Sequence, residues 1–198
     1  MSDALPFSQA AENNKIPIRE VLERHLQGAR SILEIGSGTA QHAEYFAAHF
    51  SNVFWQATDT PVAVETVRQR IVAADLPNLP PPLALDVNQR PWQLSSYSAV
   101  FTANSLHIMC PTSVENFFAS VGQHIDGGGK LLVYGPFKYG NEFTTDSNAR
   151  FDLWLKDRDP LSGIRDFEWV RDLAAAAGFS LLEDNAMPAN NQMLVWRK

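Results

Sequence analysis

The stretch Ser31-Ile32-Leu33-Glu34-Ile35-Gly36-Ser37-Gly38-Thr39-Ala40-Gln41 decides the fold. A short apolar run enters a turn with two glycines, and a helical pattern from Ala40 to Phe50 follows at once. Strand, glycine turn and helix in that order open an α/β sheet. Glycine there admits positive φ and lets a ligand approach the backbone. The helix N-terminus behind it offers N–H groups that have no partner inside the helix.

Outward from this turn, apolar runs alternate with helical patterns. The expected strands are Ser31–Ile35, Val53–Thr58, Pro82–Leu85, Ala99–Ala103, Lys130–Tyr134, Ser180–Leu182 and Gln192–Arg197. Ile18, Val21, Leu22, His25 and Leu26 make an amphipathic stripe before the first of them. Thr60-Pro61 reads as the start of a helix with Val64, Val67 and Ile71 on one face. Thr112 to Glu115 reads as a capping box, and Gly178 as the stop of a helix built on Phe167, Val170, Leu173, Ala174 and Ala177. The alternation predicts a Rossmann-like, seven-stranded, mostly parallel sheet with helices on both faces. Only about ten residues, including Met187-Pro188-Ala189-Asn190-Asn191, join the last two strands, which suits a hairpin and makes the final strand antiparallel.

Composition narrows the function. At 198 residues, 45% hydrophobic and 19% charged, the chain reads as one globular domain spanning 1–198. A net charge of −6 disfavours broad binding to nucleic acid or to an anionic membrane. The single cysteine, Cys110, allows no intrachain disulfide and reads as a packed small residue. Met1 to Ala11 show no leader pattern and no apolar run reaches membrane-spanning length, so a cytoplasmic location is expected. The histidines share no metal-like spacing, and no metal is expected.

The glycine turn has acidic partners. Asp59 ends the second strand, 23 residues beyond Gly36, where a carboxylate reaches ribose hydroxyls in folds of this kind. Thr60 follows it. Asp86 and Val87 follow the third strand, where a carboxylate and an N–H suit an adenine edge; an Asp there also commonly caps a loop. A dinucleotide turn wants a small residue where Gln41 stands, and Glu34 would repel a pyrophosphate. Glu34 suits a cationic ligand instead. S-adenosylmethionine (SAM) has a sulfonium, an ammonium and no phosphate, so the residues favour it over NAD and its oxidoreductase chemistry.

Glu34 to Thr39, Asp59, Asp86-Val87 and Asn104-Ser105-Leu106-His107 resemble motifs I to IV of the class I SAM-dependent methyltransferases. Ala40 departs from the glycine common at that turn. Ala10 to Ile18, Gly163-Ile164-Arg165-Asp166 and Met187 to Asn191 extend the resemblance end to end, to the family catalogued as domain of unknown function 938 and later as methyltransferase-like 26. The resemblance implies methyl transfer from SAM, with S-adenosylhomocysteine (SAH) as product, to an acceptor it does not specify. Glu34, Gly36, Ser37, Gly38, Thr39, His42, Asp59, Thr60, Asp86, Val87 and Asn104 are then the expected cofactor residues.

Segments that follow parallel strands face the ligand in such a sheet. His107 is the candidate general base, or else a lining residue. Asn13, Asn14, Tyr134, Phe137, Tyr139, Asn190 and Asn191 are the expected acceptor rim, although Asn13 and Asn14 equally suit a helix cap. A small molecule or a protein side chain is the expected acceptor, RNA is not, and the alternative is a SAM-binding scaffold without catalysis. The stretch 143–160 reads as a lid helix or an interface.

Overall fold

Strand β1 (Ser31–Ile35) is central because both its faces are apolar: Ile32 enters one core, Leu33 and Ile35 the other. The computed structural model describes residues 4–198. Met1, Ser2 and Asp3, which begin the stretch read as lacking a leader, lie outside them. With strands numbered in chain order, the main sheet runs β3 (Leu83–Ala84), β2 (Phe54–Asp59), β1, β4 (Tyr97–Ala103), β5 (Ile125–Gly135), β10 (Asn191–Arg197), β9 (Ser180–Met187). The first five are parallel to one another, and β10 is antiparallel to both β5 and β9. This is the expected seven-stranded, Rossmann-like sheet with its last strand reversed.

Helices α1 (Gln9–His25), α2 (Gln41–His49) and α3 (Val64–Ala74) cover one face, around Phe46, Trp55 and Phe101. Helices α4 (Pro111–Val121) and α6 (Phe167–Ala176) cover the other, around Phe117, Phe118 and Trp196. These six rings are fully buried, and each such side chain contributes roughly 1.5–3 kcal/mol.

Several boundaries differ from the sequence expectation, each for a local reason. Asn13 to Lys15 lie inside α1, whose first turn is capped by Ser8 Oγ on Ala11 N–H. Helix α3 begins only at Val64, because the Thr60 carbonyl accepts from Ala63 and Val64 and makes a turn of 61–63. No capping box forms at Thr112; Pro111 opens α4 and the Ser113 hydroxyl turns to Asn88 Oδ1 at 3.0 Å. Strand β3 keeps two residues, since Pro80, Pro81 and Pro82 supply no N–H to a ladder. The hairpin forms, with a 3₁₀ turn at Pro188–Asn190. A small second sheet, β7 (Glu142–Phe143), β6 (Phe137–Tyr139) and β8 (Arg165–Asp166), was not foreseen. The stretch 143–160 is mostly helix α5 (Asp146–Arg158).

Candidate functional site

The turn after β1 is pinned to β2 at every step. Gly36 and Ser37 N–H donate to the Thr58 carbonyl at 3.1 and 2.9 Å. Gly38 N–H and Thr60 N–H each donate to one oxygen of Asp59, both at 2.7 Å. Gly36 has φ +74°, and a Cβ there would stand 2.6 Å from Ser105 Oγ, so glycine is required twice over. Ala40 takes a left-handed conformation at φ 59°, fully buried, at a cost of roughly 1–2 kcal/mol. Asn104 does the same where β4 ends, a conformation asparagine tolerates better. Non-glycine residues held this way cluster at ligand sites.

Over the carboxyl ends of β1, β2 and β4 lies a cleft of about 580 Å³, well within the range that small ligands occupy. Gly36, Ser37, Gly38, Thr39, His42, Asp59, Thr60, Asp86, Val87 and Asn104 all line it. Asp59 and Asp86 are its carboxylates. Among the described residues no lysine or arginine lines it. Burial pushes His42 down to about 4, so its imidazole adds no charge at neutral pH. Asp86 also caps its own loop, accepting from Asn88 N–H at 2.9 Å. Ser37 Oγ is buried beside the Glu34 carboxyl yet makes no well-formed hydrogen bond.

Glu34 itself stays out of the cleft wall. Its side chain faces the core that holds Trp55, whose indole N–H donates to it at 2.6 Å. Burial, helped by nearby Asp59, raises its pKa to about 7 against the pull of Trp55 and Ser37. Glu34 therefore underlies the turn and sets the field beneath it.

The expected acceptor rim does not assemble in the cleft. Phe137 is a core residue. Tyr139 reaches Asp184 Oδ2 at 2.7 Å and stacks on Phe167, and burial, then that carboxylate, raises its pKa. Asn13 is exposed on α1, bonded by Gln9. Asn190 is exposed and donates to Ser147. Asn14, Tyr134 and Asn191 form one polar group: His42 Nε2 lies 2.6 Å from Asn14 Oδ1, and Asn14 and Asn191 both reach the buried Tyr134 hydroxyl. That group fixes α1 to the sheet and lies behind the wall. His107 is 6% exposed, edge-on to Phe151 at 5.4 Å, and does not line the cleft. Burial and then Arg165 bring it to about 4, which makes it a weak base.

Other residues line the wall too, among them Ser105 and the unforeseen Ser8, Ala11, Ile108 and Met109. Ser105 lies within the motif after β4 and was within reach of sequence reasoning. Ser8 was not, because tertiary bonds put it there. Gln41 Oε1 accepts from Ser8 N–H at 2.6 Å and from Thr39 Oγ1 at 3.0 Å. Arg70 bonds the Thr39 and Pro6 carbonyls, both at 2.7 Å. Gln41, which spoils a dinucleotide turn, here fastens the N-terminal segment over the glycines.

The loop after β4 is held from outside. Arg165 donates to the carbonyls of Leu106, Met109 and Leu161. Gly163 N–H donates to the His107 carbonyl at 2.8 Å, and Ser162 Oγ to that of Ile108 at 2.9 Å. Asp152 of α5 accepts from Ile164 N–H at 2.7 Å, and a Cβ on Gly163 would sit 2.9 Å from it.

Solved structures share this architecture. An O-methyltransferase family protein from Burkholderia thailandensis superposes with a TM-score of 0.83 at 16% identity, over 96% of this chain and 57% of that one. Human N-acetylserotonin methyltransferase, solved in complex with SAM, gives 0.78 at 17% identity, over 96% and 53%. PigF, solved with SAH, gives 0.79 at 15%, over 94% and 56%. The chain thus spans little more than half the length of these proteins, and the fold is that of the SAM-dependent methyltransferases. Residues 5–198 match a single family model, so the chain belongs to the family described as protein of unknown function DUF938.

Proposed function

We propose that this protein is a SAM-dependent methyltransferase. The observation that carries the reading is the charge of the cleft: two carboxylates, a neutral imidazole and no lysine or arginine among the described residues. A pyrophosphate finds no counter-charge there, whereas a sulfonium and an ammonium find two. SAM, when bound, supplies an electrophilic methyl group. Gly36 to Thr39 would hold its amino-acid end, Asp59 its ribose hydroxyls, and Asp86 with the Val87 N–H its adenine. Asn104 would hold the cofactor from the end of β4, where Ser105 lines the cleft beside it.

The test is calorimetric titration with SAM, SAH and NAD, repeated on Asp59→Ala. Binding of the first two, weakened at least about tenfold in the variant and absent for NAD, is expected. Binding of NAD in preference to SAM, or of none of the three, overturns the proposal.

A further inference from the structure

Once the cofactor residues are assigned, the rest of the wall includes Ser8, Ala11, Ser105, Ile108 and Met109. None of these side chains is charged. The hydroxyls of Ser8 and Ser105 already bond Ala11 N–H and the Ala103 carbonyl. His42 commits Nε2 to Asn14 and stacks on Phe46 at 5.4 Å. His107 stands outside the wall, against Phe151. A hydroxyl or thiol acceptor gives up a proton and passes through an anion, which calls for a base or a cation beside it. No cation lines the cleft among the described residues, and of the groups there that could take a proton, Asp59 and Asp86 are assigned to the cofactor and His42 is bonded to Asn14. An acceptor that itself bears a carboxylate or phosphate would add a further anion beside Asp59 and Asp86, opposed only by the cofactor's own cationic groups. A nitrogen lone pair needs neither device.

Resting on the methyltransferase reading, we infer that the acceptor is a small, mainly apolar molecule with a neutral ring nitrogen or tertiary amine, and that the product is a permanent cation. The carbon–sulfur bond of the sulfonium breaks with its electron pair left on sulfur. The nitrogen lone pair forms the new carbon–nitrogen bond. The positive charge passes from sulfur to nitrogen and no proton moves. The cleft holds the same net charge before and after, so Asp59 and Asp86 stabilise both ends of the reaction.

The test takes the full chain and three probes of matched shape: quinoline, 1-naphthol and 1-naphthoate. Saturation-transfer NMR on the SAH-loaded protein should show quinoline bound and naphthoate not. With SAM, N-methylquinolinium should form at least about tenfold faster than either oxygen-methylated product. Binding or turnover of naphthol or naphthoate at or above the quinoline level overturns the inference. If all three probes are silent, methyl-labelled SAM is incubated with cell extract. The labelled product, missing with Asp59→Ala, should stay on a cation exchanger at about pH 12, where ordinary amines are neutral. Label that passes through, or no label at all, also overturns it. Failure to bind SAM in the calorimetry is a separate outcome that removes the methyltransferase reading itself.

Discussion

The two halves of the sheet build their walls by different means. On the β1–β2–β3 side, backbone N–H groups and strand-end carboxylates do it: Gly38 and Thr60 on Asp59, Gly36 and Ser37 on Thr58. On the β4–β5 side, side chains reach across from distant segments, as Arg165 does to the Leu106 and Met109 carbonyls and Ser162 to that of Ile108. The first half repeats a local sequence pattern. The second depends on residues brought together from 54 to 59 positions apart along the chain.

The largest effect should come from Arg165→Ala. It strands the Leu106 and Met109 carbonyls and frees the loop that carries Ile108, a loss of about 4 kcal/mol in urea unfolding. Arg165→Lys should recover little, since one ammonium cannot satisfy three carbonyls set around a planar fork. If the halves are as separate as their construction suggests, SAM affinity of the folded variant changes by less than about threefold. A loss of cofactor binding as large as that of Asp59→Ala would erase the distinction.

Glu34 comes next. Its carboxyl, raised from 4.5 to about 7, binds a proton more tightly folded than unfolded. Its burial therefore costs nothing below about pH 4.5, and the cost grows through pH 7 to roughly 3 kcal/mol. His42 and His107, both lowered from 6.5 to about 4, act in the opposite sense: stability falls as pH drops from 6.5 towards 4. Glu34→Gln should keep the acid-side loss and remove the decline on the alkaline side, in unfolding curves taken from pH 4 to 9. An unchanged alkaline limb would show that Glu34 is ionised without penalty.

The smallest effects sharpen the picture inside the glycine turn. Gly36→Ala meets Ser105 Oγ as well as an unfavourable φ, and should cost about 2–3 kcal/mol. Gly38→Ala has open space around it and only the φ of +58° to bear, about 1 kcal/mol. Thermal melts of the pair measure the difference. Equal losses would mean that Ser105 yields, and that the contact between β1 and β4 is looser than it looks.

How much the sequence discloses follows the same division. The sheet, its reversed last strand and the glycine turn were legible, because apolar period, glycine and acidic spacing are local signals. Glu34 misled: its position before the turn was right, but the alternation of β1 turns it towards Trp55. The acceptor rim misled for a related reason. Following a strand places a residue at the correct end of the sheet without saying which face it takes. Phe137 and Tyr139 belong to a small sheet whose two- and three-residue strands carry no periodic signal. Gly163-Ile164-Arg165-Asp166 stood out as a pattern, yet its role as a clamp needed the fold to bring it to Leu106.

The reversed strand β10 has a practical side. Because it runs back between β5 and β9, Lys198 ends at the edge of the sheet remote from the cleft, tied to Gly129 and Gly128 by backbone bonds of 3.0 Å. Pro6 and Ser8, by contrast, are laced onto the cleft wall itself. A reporter or affinity handle joined after residue 198 therefore leaves the molecule at the end away from the cleft.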